Sequence, residues 1–457
     1  MSRRSETQRV TRSPSWIAVL TGLVGCLPPS PAIADTFPDT VFVNGFEPCV
    51  GVQCFQVHCP TGQTTSVSGT VYAPNGTLPL PNVQVYVPST AVGAITDGPG
   101  YDRCGVAPPG HPVAAALSDA NGNFTLTNMP ATSNVQLVLL AGKWRRQVTI
   151  GNVPQCTNTL LAADDTRLPR NHFEGHVAHV AIVTGSADSL ECLMRKTGID
   201  DAEFTTSSGS GRFHLFAGAG GGANQFDAAH GSATFADATT LWSTLPALSA
   251  YDQVMVGCEG GQHAETKPAQ ALQAMKDYAD AGGRIYFPHW ENYWILANAA
   301  SWQNVAAWNT NLNTPTPDPI VGQVSNVFPQ AATMYAWLVG VGASAVAGTL
   351  SIKQPRQTAV GLDTNVARKW IYLDTTSNAM PSMQYFSFTT PVESSADSQM
   401  GRVLFTDMHA ASGDSSSTAN PFPSGGCQTQ VTSTNPQEKA LLYAAFDLQR
   451  CVGTTKE

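Results

Sequence analysis

The residues able to do chemistry cluster at the ends of apolar runs in the C-terminal half of the chain. Cys258 sits in the tight turn Gly257-Cys258-Glu259-Gly260-Gly261, directly after the run Tyr251 to Val256. A thiol placed there reads as a nucleophile, because backbone N–H groups and a following helix lower its pKa. His289 ends the next apolar run, and Asp407-Met408-His409 ends the run Gly401 to Thr406. With His263, these residues offer imidazoles, a carboxylate and a thiol, a donor set suited to zinc or another divalent ion. No H-E-x-x-H or C-x-x-C spacing accompanies them, so the metal stays undefined. Strand-end histidines satisfied by ordinary hydrogen bonds are the competing reading. Trp290, Tyr293 and Trp294 follow His289 at helical spacing. Their rings suit stacking on a sugar or packing in a core. Trp290, Trp294, Glu259 and Asp407 are the candidate ligand contacts, and His289, His409 and Cys258 the candidate catalytic residues.

Alternating strands and helices must position these groups. His179 to Thr184, Arg212 to Phe216, Tyr251 to Val256, Arg284 to Phe287 and Gly401 to Thr406 read as strands. Helices are expected over Ser189 to Thr197, over Pro268 to Ala281, and from Asn435-Pro436 to Arg450, with Glu438 three residues after the last cap. This alternation over residues 172–453 implies a doubly wound, mostly parallel sheet. Such sheets gather ligand sites at the carboxyl ends of their strands. The Gly218–Gly222 loop lacks the Lys-Ser/Thr that a phosphate loop needs.

Residues 62–168 change period. Ser66 to Tyr72, Val83 to Val87, Phe124 to Leu126, Val135 to Leu140 and Lys143 to Ile150 are short alternating or apolar runs between turns, and they predict an all-β sandwich. Lys143-Trp144-Arg145-Arg146 is the basic cluster. It suits either an acidic polymer or an edge strand guarded by charge.

Charged residues are only 12% of the 457, while hydrophobic residues reach 42%, which excludes a charge-rich disordered chain and a long coiled coil. The net charge of −9 excludes a general nucleic-acid binder. Residues 1–34 carry Arg3, Arg4, Arg9 and Arg12, a short apolar stretch and Ala32-Ile33-Ala34, the pattern of a signal peptide cut before Asp35. Leu23-Val24-Gly25-Cys26 offers lipidation at Cys26 as the alternative. The stretch is too short to span a bilayer, so the expectation is a secreted, periplasmic or extracellular protein without a transmembrane segment. Residues 35–61 form a Cys-containing N-terminal segment of unassigned role. Nine cysteines remain beyond Cys26. In an oxidising compartment they predict four disulfides and one free thiol, with Cys258 to Cys192 one conceivable pair.

Two resemblances rest on these residues. Gly69-Thr70-Val71, Leu80-Pro81-Asn82-Val83-Gln84-Val85, Ser118-Asp119 with Gly122-Asn123-Phe124-Thr125-Leu126, and Met129-Pro130 resemble a carboxypeptidase regulatory-like domain. Ser118 stands where that pattern has Thr, and residues 88–112 are an insertion. The resemblance implies a transthyretin-like sandwich, a carbohydrate-binding-like fold without peptidase chemistry. Tyr251-Asp252, Tyr278-Ala279-Asp280-Ala281-Gly282-Gly283-Arg284, the strand ending at His289, and Gly401-Arg402-Val403 leading to His409 resemble the class I glutamine amidotransferase-like superfamily, in its ThuA-like branch. The whole arrangement is similar to uncharacterised exported bacterial proteins. In that superfamily the nucleophile's position corresponds to His289, and His409 is followed by Ala410 and Ala411 rather than completing a His-x-Glu pair. The resemblance therefore implies no glutamine hydrolysis.

The expectation is an exported envelope or extracellular protein. It would bind a ligand, a glycan or cell-envelope component, between the sandwich and the α/β domain. The runner-up is a secreted hydrolase acting at a His289/His409/Cys258 cleft, with no cofactor or with a divalent ion such as zinc. Within it, activity is expected to depend on His289 and His409 more than on Cys258.

Overall fold

The computed structural model describes residues 49–100, 103–309, 311, 316–375, 379–410, 421–423, 427 and 435–453. The expected leader, with Cys26 and the cleavage site read at Ala34, lies outside them, as does most of the 35–61 segment. From Val50 onward the chain forms one compact unit.

The N-terminal part builds two sheets. One has the order Asn123–Leu126, Ser66–Thr70, Asn158–Leu160. The other runs Pro112–Leu117, Gln84–Pro88, Ser133–Ala141, Trp144–Asn152, Gly175–His176. Val67 and Leu126 from the first share a core with Val85, Leu137 and Leu139 from the second. The two-residue periodicity puts these side chains on the inward faces. Pro112–Leu117 and Asn158–Leu160 are strands that the pattern did not announce, since Ala-rich and polar triplets carry little periodic signal.

The C-terminal part is one large mixed sheet. We label its main strands β1 (Val180–Thr184), β2 (Phe204–Thr206), β3 (Phe213–Ala217), β4 (Gln253–Val256), β5 (Arg284–Pro288), β6 (Ser382–Thr390) and β7 (Gly401–Thr406). They lie in the order β2-β3-β1-β4-β5-β7-β6. All neighbours from β2 to β7 pair in parallel, and β7 pairs β6 antiparallel. Beyond β6 the sheet continues antiparallel through Ala367–Leu373, Ile320–Val324 and Thr349–Ile352. Mostly parallel thus describes only the half that carries the candidate residues. The stretch left unassigned by pattern is an antiparallel extension, which needs no crossover helices.

Alternate residues of the parallel strands enter two different cores. Val180, Ile182, Leu215, Met255, Tyr286 and Leu404 belong to one. Ala181, Val183, Phe216, Val254, Ile285 and Phe405 belong to the other. Helices α1 (Leu190–Lys196) and α3 (Pro436–Asp447) cover the first face, and α2 (Ala269–Asp280) covers the second. Burial on both faces explains why these strands read as continuous apolar runs. The capping box foreseen for α3 is present, with Asn435 accepting from the Glu438 amide and Glu438 accepting in return.

The first face also receives the sandwich. Trp144 packs against Phe213 and Phe446, with ring centroids 6.1 and 5.8 Å apart. Lys143 is buried and pairs with Asp252 at 2.9 Å. Gly142 has φ 58°, and a Cβ there would collide with the Gln449 carbonyl, so the hairpin can dock this closely only as glycine. The basic cluster is therefore joinery between sheets rather than a patch for an acidic polymer. Its strand is covered at that end by Gly175–His176. At this junction a cavity of about 20 Å³ remains, lined by Leu80, Val83, Trp337, Tyr443 and Phe446. That is room for about one water, not for a glycan.

Disulfides join Cys59 to Cys156, Cys104 to Cys451 and Cys192 to Cys427, and Cys49 and Cys54 are also disulfide-bonded. Cys258 is the free cysteine among the described residues, so its pairing with Cys192 is excluded. Cys104 and Cys451 are 347 residues apart and Cys192 and Cys427 are 235 apart, so both bridges restrict large loops of the unfolded chain. Converting Cys192 and Cys427 to alanine together should cost about 2–5 kcal/mol in urea unfolding. A loss below about 1 kcal/mol would contradict this. No helix of the described residues is long and apolar enough to cross a membrane.

Candidate functional site

The strand order decides the site. The chain leaves β1 towards β3 on one side and returns to β4 on the other, which opens a switch point between the carboxyl ends of β1 and β4. Cys258 follows β4, His289 follows β5 and His409 follows β7, and these three strands are neighbours. Their side chains meet. Cys258 Sγ lies 3.5 Å from His289 Nδ1, and the rings of His289 and His409 are 3.9 Å apart between centroids. One donor atom from each residue lies within 4.8 Å of the others. All three residues are buried.

Each turn is held in place. Gly185, ending β1, has no room for a Cβ, because the Cys258 carbonyl would lie 2.3 Å from it. His289 has φ 52°, a left-handed conformation that costs a non-glycine residue about 1–2 kcal/mol. It reverses the chain between β5 and the helical turn His289–Asn292. The backbone around His409 is gripped from two sides. The Ala410 amide donates to Asp188 Oδ1 at 2.6 Å, and Gln437 Nε2 on α3 donates to the His409 carbonyl at 2.7 Å.

Beneath the turns lies a buried ion cluster that sequence reasoning missed. Lys267 Nζ contacts Glu259 Oε2 and lies 3.3 Å from Glu291 Oε2. Glu259 also accepts from the Ala219 amide at 2.6 Å, and Glu291 accepts from Trp294 Nε1 at 3.1 Å. The cluster ties the turn after β4 to the turn after β5. Two carboxylates share one ammonium, and burial pushes the Glu291 carboxyl above its ordinary range, with Glu259 adding repulsion against the Lys267 attraction. The signal available was positional, since Glu259 follows Cys258 and Glu291 stands two residues after His289.

Other expected contacts fall elsewhere. Trp294 is fully buried and stacks on Phe287, so its ring is core and offers no face to a ligand. Glu259 is committed to Lys267. Asp407 is buried with Oδ2 accepting from the Thr358 amide at 2.8 Å, and it stands outside the three-residue donor cluster. His263 binds Glu265 and the Glu259 carbonyl instead of joining the trio. Trp290 alone of the four proposed ligand contacts is part-exposed beside the site. A larger groove of about 450 Å³, lined by residues such as Thr239, Ser243, Glu265 and Gln270, does not include the trio.

The electrostatics disfavour a thiolate nucleophile. Burial pushes the Cys258 thiol well up, and the carboxylates of Glu291 and Asp188 push it further. Burial, with the nearby Arg356 charge, depresses His409 to about 4, and burial, His409 and Arg356 depress His289 well below the ordinary value. Both imidazoles are neutral at pH 7, the form that binds metals. His409 Nε2 is buried with no hydrogen-bond partner. In metal-free native protein, Cys258 should react with a disulfide reagent far more slowly than an exposed thiol. Unfolding without reductant should release one thiol per chain, and finding none would refute the assignment.

No protein-family model and no curated protein matches the chain. Among solved structures, a protein described as ThuA-like from Bacteroides uniformis is 9% identical, with 59% of this chain and 89% of that one covered at a TM-score of 0.32. Two cohesin–X-dockerin complexes from Acetivibrio cellulolyticus are 16% and 13% identical, cover 32% of this chain and 76% and 78% of theirs, and have TM-scores of 0.15. At these scores none of them bears on the chemistry.

Proposed function

We propose that this is an exported, metal-assisted hydrolase whose divalent ion, zinc by best fit, is held by Cys258, His289 and His409. One observation carries the reading: three buried donors on adjacent strand ends lie within 4.8 Å of one another. The 3.5 Å from Cys258 Sγ to His289 Nδ1 matches the edge of a tetrahedron with zinc–sulfur and zinc–nitrogen bonds of about 2.3 and 2.0–2.1 Å. Neutral imidazoles and the unpartnered His409 Nε2 suit the same role. Three protein ligands leave a coordination position for water, whose pKa a bound zinc lowers to about 7. The leader and the disulfides support export. Glutamine hydrolysis through a thiol ester is not supported, since the thiol is held protonated. A purely glycan-binding role has less support, because Trp294 is in the core and the sandwich junction is closed.

Elemental analysis of the purified chain should find about one zinc per molecule. Returning zinc to chelator-treated protein should release about one proton, from the Cys258 thiol. Turnover of a panel of nitrophenyl esters and phosphates should vanish with chelator and return with zinc. A chain that takes up neither zinc nor cobalt sinks the proposal.

A further inference from the structure

Arg356 stands at the edge of the trio in an arrangement that no other described part of the fold requires. Its guanidinium carbon lies 3.3 Å from the centroid of the Trp290 ring, and its backbone N–H donates to the Asp407 carbonyl at 3.4 Å. Both side chains are part-exposed. The arginine is thus fixed from two directions, by a ring on the residue after His289 and by the segment that leads to His409.

Elsewhere, comparable arginines spend their donors on carboxylates. Arg167 forks onto Glu174, Arg195 onto Asp201 and Arg212 onto Asp97. Among the described residues the Arg356 side chain makes no hydrogen bond and no ion pair, and its contact is the Trp290 face. A guanidinium carries five N–H donors in a planar fork, and stacking leaves that fork free to meet a carboxylate or phosphate edge-on. Its charge is felt by His289, His409, Cys258 and Asp407, which places it beside the centre. Asp407 has Oδ2 committed to the Thr358 amide and forms no direct ion pair with the arginine. A partly desolvated cation with no direct ion pair, held rigidly beside a donor cluster, is completed by an anion that meets its fork.

We infer that Arg356, stacked on Trp290, is the receptor for an oxyanion, a carboxylate or phosphate, carried by the substrate of the Cys258–His289–His409 centre. The inference rests on the metal-assisted reading for the word substrate, but not for the anion site itself. A bidentate contact would orient the anionic group and leave the bond to be cleaved toward the trio.

Calorimetric titration of the full chain with inorganic phosphate and with acetate, at low ionic strength, tests this. Metal-free wild type should bind at least one of the two, and the stronger of them identifies the oxyanion class. Arg356→Met, which keeps apolar contact with Trp290, should weaken that binding at least tenfold. Arg356→Lys should weaken it several-fold, because an ammonium cannot fork. Arg146→Met, which removes a cation from the sandwich strand Trp144–Asn152, should leave it within about twofold. The inference is overturned if metal-free protein binds neither anion, or if Arg356→Met binds as well as wild type. It is also overturned if the anion binds only after zinc loading and independently of Arg356, for then the metal is the receptor. Arg356-dependent binding in a chain that takes up no zinc would uphold the receptor while removing the metal.

Discussion

Replacing His289 or His409 by alanine should lower zinc affinity at least about 100-fold and abolish zinc-dependent turnover. Even the loss of an outer-sphere partner costs a metal site about 10–100-fold, and these residues are placed to ligate directly. The sequence ranks both histidines above Cys258. The geometry gives the thiol an equal share, because its sulfur is 3.5 Å from His289 Nδ1 and it is the group that becomes anionic on binding. Cys258→Ala should therefore lose zinc as completely, and cobalt-loaded wild type should show a sulfur-to-metal charge-transfer band that the variant lacks. Competition titration against a chelating dye measures the affinities. Retention of zinc by His289→Ala and His409→Ala, with unchanged circular dichroism, would place the metal elsewhere.

Lys267→Met should be the most destabilising single change near the site, by about 3–5 kcal/mol at pH 7. Removing the ammonium leaves the Glu259 carboxylate and the Glu291 carboxyl fully buried without their cation, and breaking a buried pair costs that much. The sign of its pH dependence follows. A carboxyl whose folded pKa is raised costs stability above its unfolded pKa and nothing below it. Burial already raises Glu291, and loss of the Lys267 attraction raises it further. The deficit should therefore shrink as pH falls towards about 4.3, the ordinary Glu value. Urea unfolding at pH 7 and pH 4.5 reads both effects. Adding Glu259→Gln should recover part of the loss. A Lys267→Met protein within about 1 kcal/mol of wild type would show that the cluster is not a structural tie between the turns.

Much of the local structure was legible because it depends on neighbours in sequence. Apolar runs such as Tyr251 to Val256 ended at glycine turns, and the strand Gln253–Val256 lies inside that run. The Asn435 and Glu438 capping box began α3 where expected. His289 and His409 stood out because both end apolar runs. Trp290 and Trp294 were harder. Helical spacing says that two rings share a face, but it does not say whether that face meets a core or a ligand, and here the Phe287 stack claims Trp294. Arg356 carried no signal, since it sits in the loop between Thr349–Ile352 and Ala359–Leu362, with its partners Trp290 and Asp407 distant in the chain.

By itself the sequence determined the sandwich and α/β alternation, the caps, and that nine cysteines beyond Cys26 cannot all pair among themselves. Only the tertiary structure decided that the free thiol among the described residues is Cys258, since parity counts bonds without choosing partners. It also decided that Cys258, His289 and His409 meet. That meeting depends on β7 lying beside β5 although more than a hundred residues separate them in the chain. Strand order comes from how whole sheets bury both faces, a non-local balance that no local pattern of residues records.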